Sequence, residues 1–286
     1  MKQGPKPIQT GPFEEDIAAQ AQRAFDQASE TCAGCLSYHG VWGYQRLARQ
    51  NSGLDGDRAQ LEPLIAPLIA SGQTRVLIAG CADTGQLAMV LRAASGRDLE
   101  VTIIDRCETP LALCRGFAAQ HGVPVSTRVG DIGDLSNVGT IDLILAHSVL
   151  SFLPDDQVFP VVQSFANALS PNGHLVMTTA LSRTKPPIDP SVFADRILAA
   201  MDKHGLETPT EKNAFCNLLA DYARGRQTRG APFSSVREVT ALLLRAGMVV
   251  EQLIDNKRGT SYLANGTVSE RIVPGIIVTA RRADRP

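Results

Sequence analysis

The chain has 286 residues, 44% of them hydrophobic, with 28 basic against 29 acidic side chains, a length that suits one large domain or one domain with an added cap. A net charge of −1 with 20% charged residues excludes a disordered chain and leaves no electrostatic footprint for nucleic acid. No run approaches the roughly 18–20 consecutive apolar residues of a membrane span, and no apolar signal core opens the chain, so the expectation is a soluble cytoplasmic protein, monomeric or homodimeric.

Met1–Pro12, rich in Gly, Pro and Gln, reads as a flexible arm. From Phe13 to about Ser71 the pattern is helical and ends with Leu61, Leu64, Ile65, Leu68 and Ile69 on one face. The rhythm then changes. Arg75–Ala79 is a short apolar strand running into the turn Gly80-Cys81-Ala82-Asp83-Thr84-Gly85, and a helix follows with Leu87, Val90 and Leu91. Glu100–Asp105 is a second strand with an acidic end. Thr109-Pro110 starts the next helix, with threonine as N-cap and proline at the first helical position. Val125–Val129, Ile141–Ala146 and His174–Thr179 are the third, fourth and fifth strands, and an amphipathic helix from Val158 to Leu169 precedes the last.

Buried-looking strands alternating with helices define an α/β, doubly wound parallel sheet. Leu181–Pro232 interrupts it as an insertion, with helices expected near Val192–His204 and Asn213–Arg224. Ser235-Val236-Arg237-Glu238 reads as a capping box. Met248–Ile254 and Gly275–Ala280 close the chain as strands, joined by a loop, Asp255–Pro274, long enough to lie over a site.

In such a sheet, ligands bind at the carboxyl ends of the strands near the switch point. The Gly80–Gly85 turn lets backbone approach a ligand, and Asp105, 20 residues after Gly85, stands where an acid accepts ribose hydroxyls. Asp131 ends the third strand beside Ile132, where it can accept from an amine while the isoleucine packs on a flat base; Asp134 competes for that role. Together these point to an adenosine-containing ligand.

Val76-Leu77-Ile78-Ala79-Gly80-Cys81-Ala82-Asp83, Asp105, Gly130-Asp131-Ile132, Ile141–His147 and Ser170-Pro171-Asn172-Gly173-His174-Leu175 resemble the successive motifs of class I S-adenosylmethionine-dependent methyltransferases. The resemblance implies a Rossmann-like, mostly parallel seven-stranded sheet. A helical cap with the arm would take residues 1–72, and the cofactor domain residues 73–286, with the insertion at 181–232. It also implies S-adenosylmethionine held by Gly80, Cys81, Ala82, Asp83, Gly85, Asp105, Arg106, Asp131, Ile132 and His147. The pattern departs from the family at Ile78, where an acid is common, and at Ala82 and Thr84, where glycines are expected. A nicotinamide enzyme is the competitor, but Ala82 replaces its middle glycine and Asp83 would set a negative charge beside a diphosphate.

His147 and His39 are the candidate bases, with Tyr38 beside them, because an imidazole titrates near neutrality. Tyr38, His39, Trp42, Tyr44 and Arg46 form a candidate lid or substrate face: the aromatics could meet the sulfonium and Arg46 a carboxylate. The same face could equally pack the cap onto the sheet. Cys32 and Cys35 with His39 offer three ligands where a structural zinc needs four. Cys107, Cys114 and Cys216 lie far along the chain, so no metal is expected, and Cys81, Cys107 and Cys114 are read as small apolar residues. The expected reaction is methyl transfer to a small-molecule acceptor. Alternatives are intramolecular cyclisation of the cofactor with release of methylthioadenosine, and a non-catalytic cofactor-binding module.

Overall fold

The computed structural model describes residues 13–48, 53–182, 188–228, 232–258, 261–262, 268–269 and 273–283; the arm Met1–Pro12 and part of the loop Asp255–Pro274 lie outside them. In chain order the elements are α1 (Ile17–Thr31), α2 (Leu36–Ala48), α3 (Leu54–Ala70), β1 (Arg75–Ala79), α4 (Gly85–Ala94), β2 (Glu100–Asp105), α5 (Glu108–Gln120), β3 (Val125–Val129) and β4 (Ile141–His147). A short 3-10 turn at Val149–Phe152 leads to α6 (Asp155–Ala168), β5 (Leu169–Ala180), α7 (Pro190–Lys203), α8 (Lys212–Thr228), α9 (Val236–Arg245) and β6 (Met248–Arg258). The small hairpin β7 (Ser261–Tyr262) and β8 (Val268–Ser269) precedes β9 (Val273–Arg282).

Seven strands form one sheet in the order β3-β2-β1-β4-β5-β9-β6. The pairings from β3 through β5 are parallel, and β9 is antiparallel to both β5 and β6. The expected α/β sheet is therefore the one found. Its central strands are apolar at consecutive positions because both faces are covered. Val76 and Ile78 pack with α3, α4 and α5, whereas Leu77 and Ala79 pack with α6 and α9. Ser170–Gly173, expected as a turn before the fifth strand, lies within β5: the register jumps from Ile141–Leu169 to Leu143–His174, so the extra residues bulge out of one longer strand.

The chain order reverses at β1, which has β2 on one side and β4 on the other, and this opens a crevice at the carboxyl ends of the two strands. Over it lies a helical layer with its own core, made by α1 and α2 together with α7 and α8. Ala21, Phe25, Val41 and Tyr44 there meet Phe193, Ile197, Phe215 and Leu219. Helix α3, although contiguous with the cap in sequence, packs Leu61, Ile65 and Ile69 into the sheet layer instead. The N-terminal cap and the insertion are thus one packed unit. Helices α1 and α2 approach so closely that a Cβ on Gly43 would stand 2.6 Å from the Ala21 Cα. Among the described residues, no helix is long and apolar enough to cross a membrane.

Candidate functional site

The first turn is built for close approach. Gly80 takes φ +76°, which only glycine adopts without strain, and a Cβ there would meet Val149 Cγ2 at 2.6 Å. Its N–H donates to Ile104 O at 2.8 Å, so the turn hangs on the end of β2. Asp105, the last residue of β2, accepts the Cys81 N–H on Oδ2 at 3.0 Å and the Cys107 N–H on Oδ1 at 2.8 Å. Burial raises its carboxyl above the usual carboxylate value, against the pull of those N–H groups and of His39 and Arg106. Arg106 is exposed and pairs with Asp131, whose carboxyl it holds below the usual range; the Gly133 N–H also donates to Asp131 at 2.7 Å. Ile132 is buried beneath this corner, whereas Asp134 is occupied with Ser136.

Asp83, expected beside the cofactor, and Arg46, expected to meet a carboxylate, each have partners within the chain. Asp83 is buried; its Oδ2 accepts from Arg46 Nη1 at 2.7 Å and from Trp42 Nε1 at 2.8 Å, and its Oδ1 accepts from the Gly85 N–H at 2.8 Å. Arg46 also donates to Asp55 through Nε (3.0 Å) and Nη2 (2.7 Å), and to Glu15 through Nη1 (3.1 Å) and Nη2 (3.2 Å). Burial alone would lower the guanidinium's proton affinity, but the surrounding carboxylates raise it, so Arg46 stays charged. One guanidinium thereby ties the start of the cap, α3 and the first turn together. Trp42 reaches the turn through its indole N–H. Tyr44 is fully buried, with its hydroxyl donating to Gln22 Oε1 at 3.1 Å and its ring 5.3 Å from Phe215, so it belongs to the helical core and not to a substrate face.

His147 ends β4, and the chain turns sharply after it through Ser148 at φ +57°, a strained value for a non-glycine residue. Its Nε2 lies 2.7 Å from Asp57 Oδ2, and the other Asp57 oxygen accepts from Asn256 Nδ2 at 2.6 Å. Asp57 and Asn256 are buried. Neither was singled out in the sequence: Asp57 lies in the first turn of α3, and Asn256, within the stretch expected as the closing loop, lies in β6. The fold joins α3, β4 and β6 into an Asn–Asp–His relay at the carboxyl edge.

Tyr38 lies in an aromatic stack, 5.9 Å from Tyr222 with near-parallel rings and 5.5 Å from Phe152; Trp42 is 5.7 Å away. Cap, insertion and the turn after β4 meet there. His39 turns instead toward the cysteines. Its Nδ1 is 3.6 Å from Cys32 Sγ, and Cys107 Sγ lies 3.5 Å from Cys32 Sγ and 3.6 Å from Cys35 Sγ. The expectation that Cys107 is too remote to join the pair is overturned, since Cys107 caps α5 directly beneath the α1–α2 corner. Burial pushes the Cys107 thiol up, but hydrogen bonds from His39 and Thr109 outweigh it and bring it to about 6. Cys81 and Cys114 are buried behind the first turn, as small apolar residues would be.

Residues 76–173 match the family model described as a methyltransferase domain. With the sheet order above, the chain carries the class I fold of S-adenosylmethionine-dependent methyltransferases. No curated protein matches the chain in sequence. The fold resembles that of the 1,6-didemethyltoxoflavin-N1-methyltransferase of Burkholderia thailandensis, with bound 1,6-didemethyltoxoflavin and S-adenosylhomocysteine (TM-score 0.51, 18% identity, covering 96% of this chain and 93% of that one). It also resembles the N-methyltransferase NodS of Bradyrhizobium japonicum WM9 (0.51, 16% identity, 86% and 98%) and the [4+2]-cyclase SpnF (0.51, 15% identity, 79% and 81%).

Proposed function

We propose that the protein transfers the methyl group of S-adenosylmethionine to a small-molecule acceptor. The observation that carries this is a methyltransferase-domain segment whose strand ends gather the Gly80 turn, Asp105 and His147 along one edge. Residue by residue, the edge suits the cofactor. Gly80 leaves room for its methionine part. Asp105 keeps lone pairs for ribose hydroxyls after accepting its two N–H bonds. Asp131 with Ile132 suits the adenine. Gln86 donates to Gly80 O at 2.8 Å while its buried Oε1 has no donor among the described residues, an acceptor of the right sign for the cofactor's ammonium. The carboxylates of Glu15, Asp55 and Asp83 outnumber Arg46 beside the turn, which favours a cationic cofactor over a diphosphate.

The bound cofactor supplies an electrophilic methyl group, and the protein's part is alignment and proton removal. His147 takes the acceptor's proton, while Asp57, held by Asn256, orients the imidazole and stabilises its charged form. A small acceptor fits the neutral charge of the chain and the aromatic enclosure of Tyr38, Trp42, Phe152 and Tyr222.

The test is incubation with S-adenosylmethionine, with and without pools of small metabolites, followed by mass spectrometry. S-adenosylhomocysteine that appears only with an acceptor pool is the expected product. Methylthioadenosine formed from cofactor alone would replace methyl transfer by cyclisation, and binding without turnover would leave a cofactor-binding module.

A further inference from the structure

We propose that Cys32, Cys35, His39 and Cys107 bind one zinc ion that fastens the helical cap to the β2–α5 corner. The ligand atoms of these four side chains all lie within 4.8 Å of one another. Zinc takes thiolates at ~2.3 Å and imidazole nitrogen at ~2.0–2.1 Å in a tetrahedron, which places sulfur about 3.8 Å from sulfur and about 3.6 Å from nitrogen. The observed separations are 3.5 and 3.6 Å between sulfurs and 3.6 Å from Cys32 Sγ to His39 Nδ1. A disulfide would need its sulfurs at ~2.05 Å, and all of these cysteines are free. The donor set is three soft thiolates and one borderline imidazole, which selects zinc over the oxygen-seeking cations.

The backbone presents the ligands as a chelating knuckle. Cys32 caps the end of α1, Cys35 immediately precedes α2, and His39 lies in the first turn of α2. The fourth ligand arrives from across the fold, where Cys107 is the N-cap of α5. Hydroxyl and backbone N–H groups stand beside the sulfurs. Thr109 Oγ1 is 3.2 Å from Cys32 Sγ and 3.5 Å from Cys107 Sγ, and Thr31 Oγ1 meets it at 2.8 Å. The Gly34 and Thr109 N–H groups point at Cys35 and Cys107. Four protein ligands leave no open position, so the ion is structural and takes no part in turnover. Its place is nevertheless beside the cofactor edge, because the Cys107 N–H is also held by Asp105. The proposal stands on these four side chains and is independent of which cofactor occupies that edge.

Elemental analysis of the full chain, purified without chelators from zinc-supplemented medium, should find close to one zinc per chain. Stripped protein reloaded with cobalt(II) should show the intense visible bands of a tetrahedral site together with sulfur-to-cobalt charge transfer. Cys107→Ser and Cys35→Ser should retain at least ~10-fold less zinc after dialysis against a weak chelator, whereas Cys216→Ser should retain it all. The wild-type cobalt spectrum reads the ligand set directly, so it decides even if a cysteine variant fails to fold. Three outcomes would overturn the proposal: protein free of zinc with no cobalt charge-transfer band, a cobalt spectrum of an octahedral site, or an intact mass short of a pair of hydrogens, which would mean a disulfide.

Discussion

Asp105 joins two corners of the fold: one carboxylate oxygen holds the first turn through Cys81, and the other holds the start of α5 through Cys107. Asp105→Ala should therefore weaken S-adenosylmethionine binding about 10- to 100-fold, as expected for lost hydrogen bonds to a charged acceptor. Calorimetry with the cofactor measures this, and unchanged affinity would put the ribose elsewhere. In the proposed reaction, His147 is the other residue on which the chemistry turns. His147→Gln and Asp57→Asn should each lower kcat by about 100-fold or more while leaving cofactor affinity within a few-fold of wild type. Equal losses in kcat and in cofactor binding would instead make the relay a structural prop. Sequence reasoning reached His147 through its position after a strand, but not Asp57 or Asn256. Those partners lie 90 residues before His147 and 199 residues beyond Asp57, and nothing local marks either as belonging to a histidine.

Two contacts between elements carry measurable weight. Helices α1 and α2 touch backbone to backbone at Gly43, so the methyl group of Gly43→Ala meets Ala21 Cα, which no rotamer change can relieve. Chemical denaturation should show a loss of about 1–3 kcal/mol, typical of overpacking. At the opposite end of the sheet, Arg75 in β1 donates to Asp142 in β4 through Nη2 at 2.6 Å, Nε at 2.9 Å and its backbone N–H at 3.1 Å. These bonds hold the Asp142 carboxyl below its usual value. A depressed folded-state value means the contribution is fully present above the unfolded carboxyl's pKa, near 4, and disappears as pH falls through the folded value. Asp142→Asn should thus cost stability at pH 7 and progressively less as the pH drops below about 4, measured by urea melts across that range. The strands themselves were legible because two buried faces require continuous apolar runs such as Val76–Ala79. The longer β5 was not, because Ser170-Pro171-Asn172-Gly173 has turn chemistry and only the pairing with β4 absorbs it as a bulge.

Across the whole molecule, Arg46 links units that the chain keeps apart. Glu15 ahead of α1, Asp55 at the start of α3 and Asp83 in the first turn converge on one buried guanidinium. Arg46→Met would leave three carboxylates crowded without their counter-ion, so a loss of about 3–5 kcal/mol is expected. Thermal melts together with limited proteolysis of α1 and α2 would register it; an unchanged melt would mean that the cap docks through its apolar core alone.

The sequence by itself determined the sheet, its alternation with helices, the glycine turn and the acid at the end of β2, because each depends on residues close together in the chain. Hydrophobic period, turn chemistry and capping are local properties and are written locally. It also determined the near-zero net charge and the paired thiols of Cys32-Ala33-Gly34-Cys35. Only the tertiary structure decided what those thiols meet. It brought Cys107 to the cysteine pair, Asp57 and Asn256 to His147, and three acids to Arg46, and it merged the N-terminal cap with the insertion. Each of these depends on distance in space between residues remote in sequence, which packing fixes and no local pattern records.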